Sequence, residues 1–295
     1  MVRFLLSLFV VVSSLTPSLY AFDCDQAIAY LEKNAHRGSV LAAAKKVYSE
    51  RLQSNRLPSH QSPDEDVFER AWVESLPSRS QRSIVLIEPA KDLGGDKGGP
   101  NSVQLVILDG KKMVFRPILS EDENPLAIML PSKVRRTLAA ARLAELLGSP
   151  TTTTADIVKI GNHFGALSEF VEGRILADPF DDRVLESDKM ALHLVFEFLA
   201  GNRDDLLENF IISLNGDIKS IDHDLAFTNG IPTYRPLMPV GSMLPKSYPP
   251  NLANRLLEIS RADLDSALGN DLTSHEIDHI QLRLEIVLEH MRSLS

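Results

Sequence analysis

The chain has 295 residues, with 31 lysines and arginines against 40 aspartates and glutamates, so 31 − 40 = −9; 44% of it is apolar and 24% charged. That balance excludes a disordered chain, a collagen-like fibre and a polytopic membrane protein, and the length suits one large domain or two small ones. The acidic surplus argues against broad binding to nucleic acid or anionic lipid, because surfaces that do this are normally basic.

Arg3 precedes the apolar run Phe4–Val12, which weakens through Ser13 and Ser14 and ends in small and turn-forming residues at Ala21. Residues 1–21 therefore read as a secretory signal peptide, too short in its apolar core to span a bilayer comfortably. The expectation is a protein that is secreted, periplasmic or in the lumen of the secretory pathway, with no stable membrane span. Cys24 is the single cysteine, so no intramolecular disulfide is available and stability must come from the core.

From Asp25 to about Glu74, Ala, Leu, Lys and Glu alternate at helical spacing, with a break from Leu57 to Asp64 that holds Pro58 and Pro63. Residues 22–80 are thus read as a helical extension of two helices. The character then changes. Ser83–Glu88, Val103–Asp109 and Lys112–Ile118 read as strands, the last two joined by the hairpin signal Asp109-Gly110. Ser132–Leu147 reads as a helix with Ser132 as N-cap and Gly148 as stop signal. Ala155–Lys159 and Ala166–Val171 read as further strands. Beyond Glu186 the periodicity is mainly helical, over Ser187–Ala200, Asn251–Ser260, Arg261–Ala267 and Ser274–Ser293. A short hairpin, Asn209–Leu214 and Asp217–Ile221 around Asn215-Gly216, interrupts it. A strand-rich part with one helix precedes a helix-rich part.

The richest stretch for chemistry is Gly201–Phe227, GNRDDLLENFIISLNGDIKSIDHDLAF. Asp204 and Asn209 follow a helix and precede a strand, and the hairpin returns Asp222 just past its second strand. Three oxygen-bearing side chains gather at one loop-rich edge. Phosphoryl transfer needs a carboxylate to orient the attacking hydroxyl and hard oxygen ligands for a divalent ion. These residues resemble the catalytic and metal-binding loops of the protein-kinase-like superfamily. The likeness is to its atypical branch, which includes phosphatidylinositol 3-/4-kinases, HipA-type kinases, actin-fragmin kinase and certain secreted kinases. Asn202-Arg203-Asp204 with Glu208-Asn209 is similar to the catalytic loop, and Ile221-Asp222-His223 to the metal-binding loop.

The resemblance implies an α+β, bilobal fold, with a small lobe and hinge over residues 81–173 and a mainly helical large lobe over 174–295. It implies ATP with Mg2+ or Mn2+ between the lobes, Asp204 as the residue that orients the acceptor hydroxyl, and Asn209 and Asp222 as metal ligands. Arg135–Leu147 is similar to the small-lobe helix. Gly165–Gly173 resembles the last small-lobe strand and hinge, where Glu169, Phe170 and Val171 would meet the adenine. Gly94–Gly99 with Asn101 and Ser102 sits where such folds place a loop over the phosphates. The acceptor, whether protein, lipid or small molecule, is not written in the sequence.

Two departures matter. The family lysine just before a proline is Arg116 here, which can grip phosphate through a planar fork rather than an ammonium. Lys112 is four residues away, roughly 13 Å along a strand, too far to replace it. The partner glutamate of that lysine is also missing, its place taken by Thr137, and Asp224 stands where a glycine commonly follows the metal-binding loop. The paired loss makes a nucleotide-binding or inert pseudokinase the alternative to an active phosphotransferase. The basic cluster Lys133, Arg135 and Arg136 is read as a solvated helix face. His275-Glu276-Ile277-Asp278-His279 matches H-E-x-x-H, the spacing of a zinc hydrolase. Asp278 and the few residues downstream argue against that reading, with Glu285 and Glu289 assigned to a solvated helix face and Ser274 to the N-cap.

Overall fold

The computed structural model describes residues 38–54, 65–80, 82–84, 91–92, 103–118, 131–148, 151–176, 187–202, 209–227 and 244–294. The expected signal peptide, Cys24, the Gly94–Gly99 loop with Asn101 and Ser102, and Arg203, Asp204 and Glu208 lie outside the described residues.

The small-lobe sheet grows from turns that the sequence marks. Strands β3 (Gln104–Leu108) and β4 (Lys111–Pro117) are joined by Asp109-Gly110. Its φ values of 51° and 75° supply the two left-handed positions that a tight type I′ hairpin needs. Strands β5 (Ala155–Ile160) and β6 (His163–Glu169) form a second hairpin, and β6 lies antiparallel to β4 with Arg116 opposite Ala166 and Pro117 opposite Gly165. Gly165 is required here, since a Cβ would sit 2.2 Å from the Arg116 carbonyl oxygen. With β1 (Arg82–Ile84) and β2 (Lys91–Asp92) at the edges, the order is β1-β5-β6-β4-β3-β2. The sheet is antiparallel except at one edge, where β1 pairs parallel with β5. The long connection between those two strands permits parallel pairing, which no hairpin could.

Helix α1 spans Gly38–Gln53, α2 Glu65–Arg79 and α3 Pro131–Leu146. The α3 helix begins at Pro131, so Ser132 is a buried residue of its first turn and not the expected N-cap; proline suits N1, where its missing N–H is not needed. Val134 and Leu138 of α3 pack with Ile157 and Ala166 of the sheet and with Trp72 and Leu76 of α2. Its other face, Ala139, Ala140, Leu143 and Ala144, enters the large-lobe core. The small residues on that face allow a close approach to the large lobe.

In the large lobe, α4 (Asp188–Ala200) is capped by Ser187, whose hydroxyl accepts from the Met190 N–H, and is closed by Gly201 in the left-handed conformation. A three-stranded sheet, β7 (Gly173–Ile175), β8 (Phe210–Ser213) and β9 (Ile218–Ser220), lies against it through Phe210 and Ile218. Helices α5 (Pro250–Glu258), α6 (Arg261–Leu268) and α7 (Ser274–Ser293) complete the lobe. The N-cap of α7 is Thr273, not Ser274: Thr273 and Glu276 exchange side-chain-to-backbone bonds in a capping box. Glu285 and Glu289 of α7 face α1 instead of solvent alone. Arg51 donates to both Glu285 oxygens at 2.7 and 2.6 Å, and Lys46 pairs with Glu289 at 2.7 Å.

The two lobes are joined by buried charge. Arg135 of α3 is fully buried and donates to the Asp271 carbonyl at 2.6 Å and to the Glu276 carboxylate at 2.9 Å. Arg136 lies 3.7 Å from Glu276, and Arg142 pairs with Asp271 at 2.7 Å. The expected solvated basic face is therefore a lobe-to-lobe junction, because acidic groups from the large lobe meet it. The architecture is α+β and bilobal: a six-stranded, mainly antiparallel sheet with its helix α3 on one side, a mainly helical part on the other, and a connection that leads from β6 into β7.

Candidate functional site

A cavity of about 350 Å³ lies between the lobes. Four segments line it: Val114 and Arg116 from β4, Thr137 from α3, Ser168–Val171 from β6 and the hinge, and Ile221–His223 after β9. Val103, Thr152, Thr153 and Ile211 complete the apolar and hydroxyl-bearing wall. Of the residues expected at the site, Arg116, Glu169, Phe170, Val171 and Asp222 meet here. Asn209 adjoins them: the Ile221 N–H donates to its carbonyl at 2.9 Å, which ties its backbone to the residue before Asp222.

The centre of the site is an ion pair. Arg116 Nη2 donates to Asp222 Oδ1 at 2.8 Å, with the two side chains only 12% and 28% exposed. The second terminal nitrogen, Nη1, is buried and has no hydrogen-bond partner among the described residues. Asp222 has φ 65°, a conformation uncommon for residues other than glycine and one that needs support from its surroundings. Thr137 cannot act as the missing glutamate, since its hydroxyl donates to the Lys133 carbonyl at 3.0 Å. Lys112 is also engaged elsewhere, paired with Glu172 and lying 5.7 Å from the Phe170 ring centre.

Beneath Asp222 lies a buried polar cluster that sequence reasoning missed. The Ser220 hydroxyl contacts Glu197 and lies 2.8 Å from His223 Nε2, which is 3.2 Å from Glu197 Oε1. Burial pushes the Glu197 carboxyl up, but the charge and hydrogen bond of His223 and the bond from Ser220 outweigh it and hold the group below its ordinary range. One turn earlier on α4, His193 bonds to the Ile218 carbonyl at 2.9 Å, and desolvation lowers its pKa to about 4. A signal was present: His193 and Glu197 are the only ionisable residues between Ala191 and Ala200. Their i, i+4 spacing puts both on one side of an apolar helix.

The carboxylate of Asp222 is a hard oxygen donor of the kind that a divalent ion on a nucleotide takes. Such an ion takes one or two protein oxygens and fills its remaining positions from phosphate and water. Asp222 lines the cavity and carries such an oxygen, whereas Asn209 is placed beside it only through its backbone, and Arg116 Nη1, without a partner among the described residues, is a donor suited to a phosphate oxygen. The H-E-x-x-H segment does not form a zinc site. Glu276 accepts from the Thr273 N–H at 2.8 Å, from its hydroxyl at 3.0 Å and from Arg135, so its carboxylate is a cap and an ion-pair partner. Asp278 pairs with Arg261. Among the described residues, no group of three or more His, Cys, Asp and Glu is placed to hold a metal.

No family model matches the chain, and no curated protein matches it. Among solved structures it is similar to the proinflammatory kinase CtkA of Helicobacter pylori, at 11% identity and a TM-score of 0.43, over 72% of this chain and 98% of that one. Among the described residues, no helix is long and apolar enough to cross a membrane.

Proposed function

We propose that the protein is an exported, atypical kinase-like phosphotransferase that uses ATP and Mg2+ or Mn2+ to phosphorylate a hydroxyl on a protein, lipid or small molecule. The observation that carries this reading is the meeting of Arg116, Glu169–Val171 and Asp222 around one cavity, although more than a hundred positions separate the first from the last. The hinge backbone at Glu169–Val171 would line the adenine edge. Arg116 would grip phosphate through Nη1, and Asn209 with Asp222 would hold the ion. When bound, the ion would neutralise charge on the transferring phosphoryl group. Asp204 would orient the acceptor hydroxyl and take its proton as the oxygen attacks the γ-phosphorus, while the bond to the bridging oxygen breaks and ADP leaves.

One observation favours a second reading, a pseudokinase scaffold: Arg116 already neutralises Asp222. Calorimetric titration with ATP separates the two, with and without Mn2+, followed by phosphate-transfer assays on Asp204→Ala and Asp222→Ala. The enzyme reading expects metal-strengthened binding, transfer lost in both variants, and ATP binding kept in Asp204→Ala. Nucleotide binding with no transfer in the wild type would favour the scaffold, and absence of any nucleotide binding would end both nucleotide readings.

A further inference from the structure

Three successive side chains after β9 are tied to different parts of the molecule. Asp222 pairs with Arg116 of β4 at 2.8 Å, and His223 turns inward to Ser220 and Glu197. Asp224 pairs with Lys133 of α3 at 3.1 Å. The Asp224 side chain is only 5% exposed, whereas Lys133 reaches it from a position 23% exposed. The left-handed backbone at Asp222 separates these directions, and that conformation persists only where neighbours hold it.

The resemblance leads one to expect a contact from α3 to the cation of β4 through a glutamate at position 137. Thr137 cannot make it. One turn earlier, the same helix presents the opposite charge to the opposite partner. We propose that Lys133 and Asp224 are positioning residues, whose ion pair couples α3 to the loop bearing Asp222 and so replaces the missing link. Without Lys133 the buried Asp224 carboxylate would be left uncompensated, and the loop would open to hydrate it. That opening would move Asp222 away from the orientation in which it faces Arg116.

For its consequence on metal binding the proposal rests on the nucleotide reading; for its structural part it does not. The variants are Lys133→Met and Asp224→Asn, with Lys133→Arg as the conservative rescue. Amide hydrogen exchange over residues 218–227 of the ligand-free protein is one readout, and the Mn2+ dependence of ATP affinity is the other. The expected result is about tenfold faster exchange at residues 221–227 and about tenfold loss of the Mn2+-dependent gain in affinity, both restored in Lys133→Arg, with metal-free ATP affinity unchanged. Unaltered exchange and unaltered metal dependence in Lys133→Met would overturn the proposal. So would faster exchange throughout the large lobe with equal loss of metal-free and metal-bound affinity, the mark of a merely structural pair. If the wild type binds no ATP, the nucleotide reading falls alone, and local exchange with its rescue decides the coupling.

Discussion

Replacing Arg135 by methionine removes a guanidinium that has no exposed surface and bridges the two lobes. Methionine keeps most of the stem volume, so the effect comes from the charge. The Glu276 carboxylate, itself 4% exposed, loses a donor at 2.9 Å, and the Asp271 carbonyl loses one at 2.6 Å. Removing one partner of a buried pair costs about 3–5 kcal/mol. Glu276 keeps its bonds from Thr273 and has Arg136 at 3.7 Å. Those contacts set the expected loss at the lower end of that range, about 3 kcal/mol. Urea denaturation at pH 7 should show the midpoint falling by about 1 M for a denaturant slope near 3 kcal/mol/M. Adding Glu276→Gln neutralises the stranded carboxylate, so the double variant should recover about 1 kcal/mol relative to simple addition of the two single losses. A loss below about 1 kcal/mol in Arg135→Met, or strict additivity in the double variant, would refute the reasoning.

Acid should weaken the fold through His193. Its pKa is held near 4 by burial, below the ordinary 6.5, so the unfolded chain takes up the proton first. The stability contributed by the neutral ring is complete above pH 6.5 and is lost as pH falls toward 4, about 3 kcal/mol in all. Between pH 7 and pH 5 the wild type should lose about 2 kcal/mol more than His193→Gln in urea titrations, and parallel pH profiles would contradict this. At Gly165 a Cβ would meet the Arg116 carbonyl oxygen at 2.2 Å and the Phe115 ring at 2.7 Å. Gly165→Ala should therefore destabilise by about 1–3 kcal/mol and displace the strand that carries Arg116. Gly161→Ala, with φ 58° but open space around it, should cost only about 1–2 kcal/mol in thermal unfolding.

Features set by neighbouring residues were the legible ones. Asp109-Gly110 and Asn215-Gly216 mark hairpins because few residues accept a positive φ, and the span Ser274–Ser293 follows from apolar spacing. The N-cap was one residue off because Thr273 and Ser274 both carry hydroxyls. The box decides between them: three residues beyond Thr273 stands Glu276, whereas Ser274 would face Ile277. Long-range pairings were not legible. Nothing local to Arg135 says that Glu276, 141 positions away, buries it. The same holds for Glu285 against Arg51 and for the parallel edge at β1. At the site, it was the likeness to kinase-like loops that put Arg116, Glu169–Val171 and Asp222 together, and in the structure each stands near or just past the end of a strand. The Lys133 to Asp224 contact depends on how α3 crosses the cleft, which pattern alone does not specify.

The most direct measurement is a crystal structure of the protein grown with Mg2+ and a non-hydrolysable ATP analogue. The account predicts the base against Glu169–Val171, phosphate oxygens at Arg116 Nη1 and the ion at Asn209 and Asp222. An empty cleft at saturating analogue, or nucleotide bound elsewhere with the Arg116 to Asp222 pair undisturbed, would contradict it.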